Sequence, residues 1–339
     1  GSVSMRNACV IGCGAIGPVH MKALRTCSDA RLGGVCDVVP ERAEKYARLY
    51  GVKAFSSFGE VLSDPEIDAV HICTPHYLHQ DMAAEALASG RDVVLEKPAA
   101  MDADEFELLR SAVEHSENKL CMMLQSRTNY CIETLKKIMD GDHSLGKLVG
   151  LTGFMTWDRD DAYYASEPWR GKWETEGGGL LINQAVHLID LLSYLGGGIS
   201  GLKANISTKL LHVEVEDTAD ALLFFKNGAR GCFYAANTYP TGTPFQVEVC
   251  FEHVRFRYAD NTLYEIRKKQ PVKIIAADDM TAPGKALWGN GHKYVIDDFY
   301  AALANGTDDY ISIRDVENSS RALFAMYESG KRGGVLIEI

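Results

Sequence analysis

The stretch that decides the fold is Val93-Val94-Leu95-Glu96-Lys97-Pro98, a short apolar run ending abruptly in an acid, a base and a proline. The run is too short for a helix and rich in valine, so it reads as a buried strand of a parallel sheet, stopped by Pro98. Ligands of such sheets sit outside the carboxyl ends of the strands, which puts Lys97 at a crevice. Taken alone, the crevice reading of Lys97 stands even with the plainer one, a solvated strand end or half of an ion pair with Glu96. The sequence on either side decides between these readings.

Toward the N-terminus, the apolar strand Asn7–Ile11 runs directly into Gly12-Cys13-Gly14-Ala15-Ile16-Gly17, which opens a helix through His20, Met21, Ala23 and Leu24. A strand before and a helix after is the context in which GxGxxG cradles a dinucleotide. Gly12 allows the tight turn, Gly14 lets the backbone approach a pyrophosphate, and Gly17 permits close helix–strand packing, while the helix N-terminus favours the phosphate charge. A second strand, Ala30–Cys36, ends at Asp37, about 20 residues past the last glycine, where an acid meets the ribose hydroxyls. Asp37 therefore predicts NAD rather than NADP, with Arg42 the residue that would face a 2′-phosphate.

Strands and helices then keep alternating. Helices are predicted over Pro40–Tyr50, Phe58–Leu62, His79–Ser89 and Asp102–Ser116, and strands over Val52–Phe55, Ala69–Cys73 and Lys119–Met123. That alternation means a doubly wound parallel sheet, a dinucleotide-binding Rossmann domain over 5–124. The loops Thr74-Pro75-His76 and Glu96-Lys97-Pro98 both follow strands and belong on its cofactor side.

Past Met123 the pattern changes. After the polar link Gln125–Asn129 and a helix over Tyr130–Met139, alternating strands dominate: Val149–Trp157, Leu202–Val213, Ala219–Phe225, Arg230–Ala235, Gln246–Phe251, Val254–Tyr258 and Leu263–Arg267. They predict an α+β domain over 125–339, a large, mostly antiparallel sheet covered on one face by helices. Helices over Tyr294–Ala304 and Asp315–Ser329 close the chain, the second opening on a capping aspartate and stopping at Gly330.

Two stretches of this second domain bear chemistry. Residues 158–179 lack periodicity yet hold Tyr163, Tyr164, Trp169, Arg170, Lys172 and Trp173. These are aromatic faces and cations suited to a sugar ring or, equally, to pinning down the loop. Gly177-Gly178-Gly179 then introduces an apolar helix on which Asn183, His187, Asp190 and Tyr194 share one face. A polar stripe on a buried helix must meet partners or line a cleft.

The order GxGxxG, Thr74-Pro75-x-x-x-His79, Gly90-x-x-Val93-x-x-Glu96-Lys97-Pro98 resembles the Gfo/Idh/MocA oxidoreductases, named for glucose-fructose oxidoreductase and inositol dehydrogenase. The likeness extends over the whole chain. It implies that Lys97 lies beside nicotinamide and substrate, and that GGG followed by a helix marks the residues opposite this lysine, with Asn183 standing where many relatives have Asp and His187 retained. It also implies cofactor contacts from Gly12, Gly14, Ala15, Ile16, Gly17, Asp37, Thr74, Pro75, His79, Glu96 and Lys97. Lys97, His187 and Asn183 are the expected catalytic set, and Arg127, Tyr163, Trp169 and Arg170 join them as substrate contacts.

Composition narrows the partners. A formal net charge of −11 argues against a nucleic-acid surface. No apolar run approaches membrane-spanning length, and no charged-then-apolar leader opens the chain; Gly1-Ser2 reads as an expression scar ahead of a start near Met5. The nine cysteines are odd in number and scattered, as in a reducing cytoplasm, and neither CxxC nor HExxH occurs, so no metal is expected. The expected function is NAD-dependent hydride transfer from a secondary alcohol of a sugar, sugar derivative or cyclitol, in a homodimer or homotetramer. NAD-dependent glycoside hydrolysis and a non-catalytic dinucleotide-binding regulator are the alternatives. A carboxylate introduced as Asn183→Asp is expected to raise the pKa of His187.

Overall fold

The computed structural model describes residues 4–280 and 291–339, which leaves Gly1-Ser2 outside. The chain divides into two compact units: residues up to Gln125 together with 291–316, and residues from Ser126 to 280 together with 317–339. The sequence predicts continuous domains with a single boundary at 124/125. Residues 291–316 instead rejoin the first unit.

The first unit runs β1 (Arg6–Ile11), α1 (Gly17–Arg25), β2 (Ala30–Cys36), α2 (Pro40–Tyr50), β3 (Lys53–Phe55), α3 (Phe58–Ser63), β4 (Ala69–Ile72), α4 (His79–Ala88), β5 (Asp92–Glu96), α5 (Ala103–Glu114) and β6 (Leu120–Met123). All six strands pair in parallel in the order β3-β2-β1-β4-β5-β6. Strand order reverses between β1 and β4, the switch point at which such sheets bind ligands. β5 reads as an unbroken valine-rich run because both of its faces are covered: Val93, Val94 and Leu95 are fully buried. α5 starts where Asp102 accepts the Glu105 N–H (2.8 Å) and Glu105 in turn accepts the Met101 N–H (2.9 Å), two orphan donors satisfied reciprocally.

The second unit holds α6 (Tyr130–Gly141), β7 (Leu148–Asp158), α7 (Asp161–Ala165), α8 (Leu180–Asn183), α9 (Val186–Gly196), β8 (Ile199–Ser207), β9 (Thr218–Phe225), β10 (Arg230–Ala236), β11 (Thr238–Phe251), β12 (Arg255–Ala259), β13 (Thr262–Ile266) and β14 (Lys273–Ala277). The chain then lends α10 (Gly291–Asn305) to the first unit and returns for α11 (Glu317–Lys331) and β15 (Ile337–Glu338). The nine strands order as β14-β13-β12-β11-β7-β10-β9-β8-β15. β7 and β10 are parallel and every other neighbouring pair is antiparallel, as the alternating pattern predicts.

Four local expectations are corrected. The strand expected to reach Val213 stops at Ser207, because the Asp217 carboxylate takes the N–H groups of Lys209, Leu210 and Leu211 (2.8, 2.9 and 3.0 Å) and turns the chain out of the sheet. α7 lies inside the stretch read as aperiodic. α11 passes through Gly330, where a side chain would strike Ile206 (2.7 Å), so this glycine serves helix–strand packing rather than termination. The single helix expected through Asn183 and Tyr194 is two helices. At the break the Ala185 N–H reaches back five residues to the Leu180 carbonyl (2.8 Å). A single wide turn of this kind often marks a functional site.

Candidate active site

In the first unit the glycine loop has the shape its sequence calls for. Gly12 sits at φ +98°, and a side chain there would strike the Cys73 carbonyl at 2.5 Å, while one on Gly17 would run into the Gly12 carbonyl. Only glycine fits either place. A side chain on Gly14 would meet nothing within 4 Å, which leaves open the backbone face that a pyrophosphate needs. α1 begins with no side-chain cap and no acid in its first turn, so its N-terminal N–H groups suit an anion. The Asp37 carboxylate accepts the Cys13 N–H (2.9 Å) and the Val39 N–H (2.8 Å), which locks it against the glycine loop. Its remaining lone pairs can accept ribose hydroxyls. These residues fit a bound NAD.

The two loops at the strand ends are bolted together by His79. Its Nδ1 lies 2.7 Å from the Pro98 carbonyl and its Nε2 2.8 Å from the Thr74 carbonyl. Burial pushes its pKa down against the pull of those two carbonyls. With both ring nitrogens engaged, His79 positions the loops carrying Thr74, Pro75 and Lys97. Lys97 is half-buried just past β5.

The Glu96 carboxylate turns into the core. There His20 Nε2 (2.8 Å) and His292 Nε2 (3.1 Å) both meet Glu96 Oε1. His20 Nδ1 lies 2.9 Å from His71 Nδ1, and His71 Nε2 lies 2.7 Å from the Tyr300 hydroxyl. Burial lowers the pKa of both His20 and His71, so both rings are neutral. One set of tautomers then satisfies the chain: Tyr300 donates to His71, His71 to His20, and His20 to Glu96. Burial would raise the Glu96 pKa, but the donors from His20 and His292 outweigh it and hold this carboxyl well below the usual range. The ligand atoms of His20, Glu96 and His292 fall within 4.8 Å of one another, close enough to suggest a metal site, yet they are already joined by hydrogen bonds.

In the second unit α8 presents Asn183 and the first turn of α9 presents His187, which is half-buried. Asn183 Nδ2 donates to Glu176 Oε2 (2.9 Å) and approaches the Tyr163 hydroxyl (3.4 Å); Glu176 is fully buried and its Oε1 accepts the Gly171 N–H (3.1 Å). A carboxylate only accepts, so the amide nitrogen must face Glu176 and the Asn183 carbonyl faces the other way. The Tyr163 hydroxyl is a meeting point, taking an N–H from Arg170 and lying 3.2 Å from Gln184 Nε2. Behind α8, Glu216 accepts the Gly179 and Leu181 N–H groups (both 2.8 Å) and the Tyr327 hydroxyl (2.9 Å), clamping the Gly177–Gly179 turn. Burial pushes its carboxyl up to about 7 in spite of those donors.

Arg127 packs against α9. Its guanidinium grips Asp190 through Nε (2.7 Å) and Nη2 (2.8 Å) and stacks over Tyr194 at 4.5 Å, while Ser319 donates to the same carboxylate (2.7 Å). The two-pronged grip is the strong form of such a pair. Asp190 and Tyr194, the lower half of the predicted polar stripe, are thereby structural. Trp169 stacks under Arg170 at 5.0 Å, and its carbonyl accepts the Thr175 hydroxyl (2.7 Å). Sequence reasoning missed Glu176, Glu216 and the His20–His71–His292–Tyr300 chain. Of these, Glu176 lies just ahead of the three glycines and His20 just past the glycine loop.

A switch-point glycine loop, an acid locked against it and a lysine at the end of β5 define a dinucleotide-binding oxidoreductase scaffold. The sequence matches the NAD-binding Rossmann fold of the Gfo/Idh/MocA oxidoreductase family over residues 6–124 and the Gfo/Idh/MocA C-terminal domain over residues 132–257. It is 30% identical to the NAD-dependent scyllo-inositol 2-dehydrogenase of Bacillus subtilis, over 71% of this chain and 70% of that protein, and 24% identical to the levoglucosan dehydrogenase of Pseudarthrobacter phenanthrenivorans, over 80% of each. Among solved structures, the WlbA dehydrogenase of Bordetella pertussis in complex with NADH and UDP-GlcNAcA superposes with a TM-score of 0.87 at 27% identity, over 100% of this chain and 98% of that one. The chain belongs to the Gfo/Idh/MocA family.

Proposed function

We propose that the protein is an NAD-dependent dehydrogenase that oxidises a secondary alcohol of a sugar, sugar derivative or cyclitol. The observation that carries the reading is the pairing, in one chain, of a glycine loop and Asp37 shaped for NAD with a lysine held at the strand end and a half-buried histidine on α9. Its named relatives act on levoglucosan and inositol, which supports the substrate class. NAD, when bound, takes up the carbinol hydride. His187 accepts the hydroxyl proton, an ordinary imidazole pKa lying near working pH. Lys97 stabilises the developing alkoxide and Asn183 offers its carbonyl to a substrate hydroxyl. The test is a screen of sugars, sugar phosphates, uronates, nucleotide sugars and inositols for NADH absorbance; formation of NADH from none of them would refute the reading.

The same reading extends to assembly and location. The face of the large sheet bearing Phe154, Leu222, Cys232 and Tyr234 shows apolar and aromatic side chains, with Phe154 and Leu222 exposed. A second copy is the occupant that would cover it. A monomeric mass at micromolar concentration would refute a homodimer or homotetramer. All nine cysteines are free, which suits a cytoplasmic enzyme, and no described helix is long and apolar enough to cross a membrane.

A further inference from the structure

Two arginines in the second unit carry charge that nothing in the described structure neutralises. Arg159, just past β7, stacks on Trp157 (4.9 Å) and on Tyr163 (4.8 Å), and the only hydrogen bond of its side chain among the described residues runs from Nη1 to the backbone carbonyl of Asp158 (3.0 Å). Arg170 stacks on Tyr163 (4.3 Å) and Trp169 (5.0 Å) and donates to the Tyr163 hydroxyl. The Nε of each is buried without an acceptor, and among the described residues neither guanidinium forms an ion pair.

This is not for want of acids in the sequence. Asp160 commits its carboxylate to the Tyr163 N–H (2.8 Å), and Asp161 commits its own to the His212 N–H and ring (both 2.8 Å). Glu176 is engaged by Asn183 and Gly171. A half-buried guanidinium left without a counterion costs stability, so two held side by side across one tyrosine ring call for an explanation outside the fold. Aromatic stacking fixes the plane of each guanidinium in advance, as bidentate recognition of a carboxylate or phosphate requires. Through Tyr163 the pair connects to Asn183 and Gln184 on and just after α8.

We propose that Arg159 and Arg170, braced on Tyr163, form an anion subsite that selects substrates bearing a carboxylate, so that the preferred substrate is an acidic sugar derivative of the uronate type. The inference rests on the dehydrogenase reading for the word substrate, but the subsite binds its anion whether or not turnover follows. A charge-assisted bidentate contact favours the acid over its neutral counterpart by about 10- to 100-fold.

Matched pairs test this on the full chain loaded with NADH, where the alcohol forms a dead-end complex read by nucleotide fluorescence: D-glucuronate against D-glucose, D-galacturonate against D-galactose, and UDP-glucuronate against UDP-glucose. The acid of at least one pair is expected to bind ~10-fold or more tightly than its neutral partner. That ratio should fall toward one in both Arg170→Gln and Arg159→Gln, and be partly restored in Arg170→Lys, which keeps the charge without the fork. Two separate variants guard against one failing to fold. No acid preference in any pair, or a preference that survives both glutamine variants, overturns the proposal. The same panel with NAD separates the two readings. Arginine-dependent acid binding without NADH formation would sink the dehydrogenase and keep the subsite; NADH formation without acid preference would do the reverse.

Discussion

Asn183→Asp is the substitution whose outcome the structure changes most. Asn183 Nδ2 lies 2.9 Å from Glu176 Oε2, and Glu176 is fully buried. Aspartate there would set two carboxyl oxygens at hydrogen-bond distance inside the protein, where both cannot ionise, so the pair must hold one proton. Its folded pKa is thus raised above the unfolded value of about 4, and its contribution to stability is present below that value and lost as pH rises. Each pH unit costs about 1.4 kcal/mol, so the variant should be destabilised relative to the parent by up to about 2.7 kcal/mol more at pH 8 than at pH 6. Urea unfolding of both proteins at the two pH values measures this directly. The shared proton also leaves the net charge of the pair unchanged, so the pH profile of kcat/KM should keep its position, against the shift expected for Asn183 considered without Glu176. A destabilisation equal at pH 6 and pH 8, or a displaced pH profile in a stable variant, would refute the dyad.

Three further outcomes follow from the site. Asp37→Ala should weaken NAD binding by about tenfold or more, since it removes a ribose acceptor and frees the Cys13 N–H; a rate with NADP exceeding that with NAD in the parent enzyme would refute the role of Asp37. Lys97→Ala and His187→Ala should each lower kcat by about 10²-fold or more with NAD affinity retained, as measured by steady-state kinetics and nucleotide fluorescence. Glu96 is held well below the usual carboxylate range, so it contributes stability that is full above an unfolded pKa of about 4.3 and lost as pH falls through the folded value. Glu96→Leu should cost about 3 kcal/mol at pH 7 in chemical denaturation, because the donors from His20 and His292, which both meet Oε1, would be left buried without an acceptor.

What the sequence made legible was local. Short apolar runs alternating with helices marked the six parallel strands, and the glycine motif marked the tight turn from β1 into α1, because each signal lies within one or two elements. The helix break between Asn183 and Val186 left no trace, since Leu-Leu-Ile-Asn-Gln-Ala-Val suits an unbroken helix and the clamp that holds the turn before it comes from Glu216, far along the chain. A helix over Tyr294–Ala304 was legible, but not which sheet its buried residues Val295, Ile296, Phe299 and Tyr300 would cover.

The histidines show why buried polar chemistry stays hidden. His71 looks like a lone polar residue in an apolar strand, His20 and His292 like ordinary polar residues near a helix start, and their partners lie 51, 76, 196 and 229 positions away. Each is tolerated in the core only because the others are there: a neutral imidazole has one donor and one acceptor, and a chain of them satisfies both ends only if it begins on a hydroxyl and finishes on a carboxylate. Tyr300 and Glu96 supply those ends. The network therefore ties α10, β4 and α1 to the last residue of β5, so that the position of Lys97, the next residue along, depends on a helix from the far end of the sequence.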